Sequence, residues 1–187
     1  MTETRLSLAA FLARPESDPP EEYVNGVVVR KPPLAEPERW LRSDLATLLF
    51  GWARASHQGA AAQAVRCVLG GDVYVPDVVY VTPERLRVRE PTSGALVEPP
   101  DLAVEICPAA VDPAWVEQKI ARYVARGVRL AWLVDPAEES VRVSGADRAP
   151  VTLGRGVVLE GGEVLPGFYV HLDDLFDTLL EEARQSS

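Results

Sequence analysis

Apolar residues recur along this chain with two different spacings, which predict both helices and strands. Between residues 36 and 56 they return every three or four positions and define one face of a helix. A shorter helix is expected over residues 7–13, ended by Pro15. Short, almost continuously apolar runs predict strands buried within a sheet. These runs lie at 65–69, 73–81, 101–107 and 128–134.

The last two of these runs flank a well-marked helix and predict a strand–helix–strand unit. The helix is expected over residues 113–126, with Asp112 as its N-cap and Gly127 just past its end. Strands joined by such a helix lie parallel in one sheet, with a right-handed connection. The sequence therefore predicts an α/β fold.

Turn signals divide the rest of the chain. Asn25-Gly26 and Gly70-Gly71-Asp72 each predict a hairpin. After residue 136 a β-meander is expected, followed by an amphipathic helix over 173–184. The expected strands of this meander are 140–144, 151–153, 157–160, 163–165 and 168–172. We expect one domain over 1–187, divided into an N-terminal helix and hairpin at 1–35, a core at 36–135 and a C-terminal part at 136–187.

Composition narrows the class of protein. The net charge of −9 weighs against a protein that coats nucleic acid, but it allows an enzyme that meets one phosphodiester through a bound cation. Cys67 and Cys107 both lie in apolar runs, which indicates buried, reduced thiols. No run approaches the roughly 20 apolar residues of a membrane span. We therefore expect a cytoplasmic protein without membrane contacts.

Glu105 stands in the middle of the apolar run LAVEIC. A carboxylate in such surroundings is costly to desolvate, so it needs an ionic partner, a metal or a proton. One interpretation is a functional acid. The other is a strand end that reaches solvent, or an ion pair with an arginine.

Asp77 follows Pro76 within a second apolar run. Proline removes a donor from the strand, so this point marks an edge, a bulge or a bend. The alternative is a turn aspartate that bonds its own backbone. Asp77 and Glu105 on adjacent strands would repel each other unless a hard dication bound both. Magnesium typically takes one or two protein carboxylates and keeps water molecules for a substrate phosphate.

Lysine is scarce, because Lys31 and Lys119 are the only two lysines in the chain. Lys119 lies on the helix after the Glu105 strand, with Trp115 and Tyr123 four residues away on either side. This places Lys119 at the edge of the apolar face. It is either a surface lysine whose stem covers apolar neighbours or a functional cation. The scarcity of lysine favours the second interpretation.

The combination of Pro76-Asp77, Glu105-Ile106-Cys107 and a helix that carries Lys119 resembles the PD-(D/E)XK nuclease superfamily. More closely, the chain resembles the Uma-two family of endonucleases. The order and spacing of the matching segments are more specific than any single motif. The segments are EYVNG (22–26), PDVVYV (76–81), PPDLAVEIC (99–107), 119–123, GVRLAWLVDP (127–136) and LPGF (165–168).

The resemblance implies a restriction endonuclease-like central mixed β-sheet flanked by helices, with an added C-terminal β-meander and short helix. It implies that Asp77, Glu105 and the backbone carbonyl of Ile106 bind Mg²⁺ or Mn²⁺. Glu22 corresponds to an early glutamate of the family, an accessory ligand or a group that orients water. Lys119 would add positive charge near the attacking water or a non-bridging phosphate oxygen. DNA is the implied substrate, and a homodimer is implied by analogy.

Two departures from the family pattern bear on activity. The superfamily's lysine normally stands two residues after the acidic strand residue, where this chain has Cys107. The closer family moves that lysine to the following helix, where Lys119 stands. The stretch before the 36–56 helix usually carries a histidine, and residues 36–40 contain none.

Two functions from different classes follow. The first is a metal-dependent endonuclease that hydrolyses DNA phosphodiester bonds. The second is a catalytically inactive protein of the same fold that binds nucleic acid or protein, which the acidic charge and Cys107 favour. Binding of Mn²⁺ discriminates between them. A third possibility is a metal-dependent hydrolase of another phosphate ester, which substrate profiling would separate from the first.

Overall fold

The structure is a computed structural model that describes residues 6–90 and 93–177 of the chain. Its helices are α1 (Leu8–Leu12), α2 (Glu36–Ser56), α3 (Pro83–Leu86) and α4 (Pro113–Ala125). Its strands are β1 (Glu21–Val24), β2 (Val27–Arg30), β3 (Ala60–Gln63), β4 (Cys67–Leu69), β5 (Asp72–Tyr74), β6 (Val78–Val81), β7 (Leu102–Ile106), β8 (Leu130–Asp135), β9 (Ser140–Gly145), β10 (Arg148–Leu153), β11 (Val158–Glu160) and β12 (Tyr169–His171). None of the described helices is long and apolar enough to cross a membrane.

A six-stranded mixed sheet with the strand order β10-β9-β8-β7-β6-β3 lies at the centre. β7 and β8 are parallel, with Glu105 opposite Leu133, and the other neighbouring pairs are antiparallel. α4 connects the parallel pair, because parallel strands need a crossover between them. The side chain of Asp112 accepts a hydrogen bond from Ala114 N at 2.9 Å and caps α4, as predicted.

The two faces of this sheet bury different helices. On one face, Leu41, Leu45 and Leu49 of α2 pack in a cluster that includes Val104 and Ile106 of β7. The other face carries α4, whose buried face is formed by Val116, Ile120 and Tyr123. Alternate residues of a strand point to opposite faces. Glu105 therefore points to the α4 side, whereas its two neighbours on β7 point to the α2 side.

A second, four-stranded antiparallel sheet has the order β2-β1-β5-β4. The chain leaves it after β5 and joins the central sheet at β6, so the apolar run 73–81 forms two strands in different sheets. Val75, Pro76 and Asp77 make this passage. Pro76 thus marks a break between sheets, where the sequence indicated an edge, a bulge or a bend.

Several C-terminal predictions need correction. β9 and β10 extend the central sheet, whereas β11 and β12 form a separate two-stranded sheet. Residues 163–165, expected as a strand, lie in turns. Helical structure begins at 172, and residues 178–187 of the predicted 173–184 helix lie outside the described residues. The edge strand β3 was not predicted, because AAAQ has none of the β-branched or aromatic residues typical of strands.

Candidate active site

Asp77 is fixed where the chain passes between the two sheets. Its backbone N–H donates to Val104 O at 2.9 Å, and its Oδ2 accepts a hydrogen bond from Ile106 N at 2.8 Å. Both partners belong to β7, the strand that carries Glu105. Asp77 is only 3% exposed, so its second oxygen, Oδ1, is directed into a buried site beside Glu105.

Lys31 is the residue on which the two acids converge. Its Nζ lies 2.8 Å from Asp77 Oδ1, 3.0 Å from Glu105 Oε2 and 2.9 Å from Val75 O. Lys31 directly follows β2, and its backbone N–H donates to Pro20 O at 2.8 Å. The sequence drew attention to Lys31 only through the scarcity of lysine and gave it no role. Its place in the site depends on the pairing of β1 with β2 and β5.

Lys119 reaches the other oxygen of Glu105 from α4. Its Nζ lies 3.0 Å from Glu105 Oε1 and 2.7 Å from Glu22 Oε1. Tyr123, one turn further along α4, donates a hydrogen bond from its hydroxyl to Glu105 Oε1 at 2.6 Å. Lys119 is 3% exposed, so the interpretation of a surface lysine is wrong.

Glu22, on β1, completes the buried group. Its Oε1 accepts a hydrogen bond from Val75 N at 2.8 Å and forms the ion pair with Lys119. The structure therefore brings together Glu22, Asp77, Glu105 and Lys119, the four side chains singled out in the sequence, and adds Lys31. We call these five residues the buried ion network.

The network holds three carboxylates and two ammonium groups, a sum of one negative charge when all are ionised (−3 + 2 = −1). Burial raises the pKa of Glu105, but Lys119, Lys31 and the Tyr123 hydroxyl outweigh burial, so this pKa is lowered overall. Burial raises the pKa of Asp77 above its ordinary value, and Lys31 offsets the rise only in part. Burial opposes the charge of Lys119, yet Glu105 and Glu22 raise its pKa overall.

These opposite shifts predict that Asp77 takes up a proton before Glu105 when the metal-free protein is acidified. Ionised Asp77 costs stability at neutral pH, and this cost disappears as the pH falls through its raised pKa. Glu105 contributes stability above its unfolded pKa, and this contribution is lost as the pH falls through its lowered pKa. Carboxyl ¹³C NMR, assigned with Asp77→Asn and Glu105→Gln, measures the order. Titration of Glu105 at the higher pH contradicts the prediction.

Cys107, at the position where the resemblance to the PD-(D/E)XK pattern implies a lysine, is a buried thiol. Burial raises the pKa of its thiol to about 11, helped by the charges of Asp135 and Glu38. The neutral thiol is 4% exposed, and its backbone N–H donates to Val134 O at 2.8 Å. Cys107 therefore supplies no positive charge, and the two lysines of the buried ion network are the cations next to Glu105.

The three oxygen atoms that surround Lys31 Nζ are of the kind that binds a hard dication. Asp77 Oδ1, Glu105 Oε2 and Val75 O lie within 3.0 Å of one cationic group. Oxygen ligands of this kind suit Mg²⁺ or Mn²⁺. Within residues 6–90 and 93–177, no three His, Cys, Asp or Glu side chains form a metal-ligand group by themselves. Binding of a dication at this point would require Lys31 to move away. A ligand role for the Ile106 carbonyl stays a prediction.

A cavity of about 430 Å³ adjoins the network and gives Asp77 and Lys31 contact with the outside. Arg39 and Arg42, from the first half of α2, line its wall, and Asp18 lines it as well. Prolines and other apolar residues line the remaining parts, and these are Pro19, Pro20, Pro32, Pro33, Leu34, Ala64 and Val75. A phosphate in this cavity would therefore meet Lys31 and Asp77 directly.

Comparisons with known proteins agree with this fold. A family model named Uma2, described as "Putative restriction endonuclease", matches residues 8–173. A solved structure of a "putative nuclease belonging to DUF820" from Anabaena variabilis ATCC 29413 superposes with a TM-score of 0.83 at 22% identity. The match covers 93% of this chain and 99% of that one, and it shows a shared fold. No curated protein matches the sequence. Because the family model spans most of the sequence, this chain belongs to the Uma2 family.

Proposed function

We propose that this protein is a metal-dependent endonuclease that hydrolyses phosphodiester bonds of DNA with Mg²⁺ or Mn²⁺. The observation that carries the proposal is the convergence of Asp77 Oδ1 and Glu105 Oε2 on one positive group. That group is the Lys31 ammonium, whose Nζ lies within 3.0 Å of both oxygens. The family description and the fold of a nuclease support the same class of reaction.

Each residue of the buried ion network has a distinct task in this proposal. Asp77 and Glu105 would hold the ion, which would supply Lewis acidity and lower the pKa of a bound water. Hydrogen bonds from Ile106 N and the Tyr123 hydroxyl orient the two carboxylates before substrate arrives. Glu22 fixes Lys119, and Lys119 keeps a permanent positive charge behind Glu105.

Lys31 is the lysine that can meet the substrate. Lys31 lines the cavity together with Asp77. Lys119, which extends from α4, is instead held between the carboxylates of Glu22 and Glu105. A lysine side chain is a flexible stem with a compact charge, so it can exchange a carboxylate partner for a phosphate oxygen. Lys31 would therefore release Asp77 and Glu105 and neutralise charge on the scissile phosphate. This adds Lys31 to Lys119, the lysine indicated by the sequence.

Two-strand cutting would require two such sites, and we propose a homodimer on that ground. A dimer with two-fold symmetry presents the same site to each strand. Sedimentation velocity of the protein with a duplex would detect it. A monomer on every duplex would limit this protein to nicking or to single strands.

A specific observation favours a second function, an interaction protein without catalysis. Lys31 Nζ occupies the point where the two acids converge, and both acids are already neutralised by lysines. If Lys31 never leaves, a dication cannot enter. Isothermal titration calorimetry with Mn²⁺ measures this directly, since the inactive protein would show no binding.

The activity itself is tested with the purified full chain on supercoiled plasmid and on single-stranded DNA. We expect cleavage with Mn²⁺ or Mg²⁺ and none with excess EDTA, because the proposed ion would supply the Lewis acidity that activates water. Calcium serves as a control, since it binds oxygen ligands with looser geometry. Absence of cleavage together with absence of Mn²⁺ binding would leave the interaction protein as the better description.

A further inference from the structure

We propose that Arg39 and Arg42 form a phosphate-binding edge of the cavity, which takes a single strand of nucleic acid by its sugar–phosphate backbone. This inference rests on the proposed nuclease function and names the part of the substrate that the cavity binds. Both arginines line the cavity that Lys31 and Asp77 also line. A strand held there has a phosphodiester next to the buried ion network.

The two arginines lie on one side of α2, three residues apart. Residues at this spacing are neighbours on a helix surface. Glu38 fixes this end of α2, because its Oε1 accepts a hydrogen bond from Ala109 N at 2.6 Å and its Oε2 accepts one from Ala35 N at 2.6 Å. Ala109 lies shortly after β7, the strand of Glu105. The arginines are therefore held at a set position relative to the carboxylates.

Both guanidinium groups retain donors for a ligand. Arg39 Nη1 donates to Leu34 O at 3.0 Å, and neither arginine forms an ion pair with any described carboxylate. Arg42 Nε is buried and has no acceptor within the part of the chain that the structure describes. A buried donor without an acceptor costs free energy. Phosphate oxygens satisfy guanidinium donors, often two at a time.

The lining of the cavity carries one net positive charge, on a protein that is negative overall. Arg39, Arg42 and Lys31 bring three positive charges to its lining, against the carboxylates of Asp18 and Asp77. The chain as a whole carries a net charge of −9. An anionic strand is therefore attracted to this opening and repelled by the acidic remainder. Such local fields direct charged ligands towards one cleft.

The size and walls of the cavity suit one strand of nucleic acid at a time. A volume of about 430 Å³ is within the usual range for a pocket that encloses one small ligand, here about one nucleotide. The four prolines in its lining have no backbone N–H groups to donate to base edges, and the N–H groups of Ala64 and Val75 already donate to Asp77 O and Glu22 Oε1. The named donors in the lining are the cationic side chains, which suit phosphates. Contacts to phosphates position a strand without reading its sequence.

The test measures binding without catalysis. A fluorescein-labelled oligodeoxythymidylate of about 20 nucleotides is titrated with the full chain in EDTA, by fluorescence anisotropy, from about 50 to 200 mM salt. The variants are Arg39→Gln, Arg42→Gln and the double variant. Arg54→Gln is the matched control, because Arg54 lies at the other end of α2 and does not line this cavity.

We expect the double variant to bind roughly tenfold or more weakly at low salt. The slope of log affinity against log salt should fall by about 0.7 for each arginine removed. Arg54→Gln should bind as the unmodified protein does. Equal affinity and slope for the double variant, or equal weakening by Arg54→Gln, overturns the inference. Cleavage is scored separately: a nuclease whose KM is unchanged by the double substitution refutes the phosphate-binding edge and leaves the proposed function standing.

Discussion

Asp77→Asn and Glu105→Gln should each lower the rate of metal-dependent DNA cleavage by at least about 100-fold. Lewis-acid stabilisation by a bound dication contributes several kcal/mol to such reactions, and each 1.36 kcal/mol is a factor of ten in rate. Both substitutions keep the shape of the side chain and remove the negative charge that would hold the ion. Initial rates on supercoiled plasmid, with the same excess of Mn²⁺ for each protein, give the comparison.

Asp101→Asn is the matched control for these variants. Asp101 is as deeply buried as the two acids, at 1% exposed, and it pairs with Arg85 and Arg129. It stands four residues before Glu105, which is about 13 Å along a strand. Asp101→Asn should therefore alter stability but leave the rate per folded molecule unchanged. Undiminished cleavage by both Asp77→Asn and Glu105→Gln would refute the site.

Lys119→Met should lower the free energy of unfolding by about 3–5 kcal/mol. Removing one partner of a buried ion pair leaves the opposite charge uncompensated, which costs this much. Here the ammonium is 3% exposed and contacts both Glu22 and Glu105. For a chain of this length the melting temperature should fall by roughly 6–20 °C. Urea titration and thermal melting measure the two quantities.

Two further variants keep this prediction testable if Lys119→Met folds poorly. Adding Glu22→Gln removes one uncompensated carboxylate, so the double variant should be more stable than Lys119→Met alone. Arg142→Met breaks the half-exposed pair with Glu117, whose atoms are 3.5 Å apart, and should cost no more than about 1 kcal/mol. A loss for Lys119→Met no larger than that for Arg142→Met would contradict the description of the network.

The part of the site that follows from local pattern could be predicted from the sequence. Glu105 is a charge within an apolar run, and Asp77 follows a proline that interrupts another such run. Lys119 lies at a definite position on a well-marked helix. Their roles as metal ligands and catalytic groups stay predictions, but the structure brings all three together.

Lys31 could not be placed in the same way, because no local pattern surrounds it. It follows a short hairpin and precedes two prolines, which is typical of a loop. Its position depends on Tyr23 pairing with Val73, a contact between strands 50 residues apart. Such long-range pairing is set by the whole fold. β3 was missed for a different reason, because its alanine-rich sequence has no residues typical of strands. Residues 163–165 were wrongly expected to be a strand.

The central sheet was more predictable than the second sheet. Its buried strands are continuous apolar runs, and the α4 crossover fixes the direction of β7 and β8. The run 73–81 is equally apolar, yet it serves two sheets. Hydrophobicity marks burial on both sides of Pro76 and carries no information about which sheet each half joins.

Because the buried acids carry their counter-charges on the same polypeptide, this protein should fold without the divalent cation that we propose for its site. Many metal centres are assembled only when the ion binds, and chelators denature the proteins that contain them. Here Glu22, Asp77 and Glu105 already face ammonium groups. On the proposed function, withdrawal of divalent cations would therefore stop cleavage while the native state persists. In a cell depleted of these ions the protein would stay folded and inactive, and cleavage would return when the ions are restored.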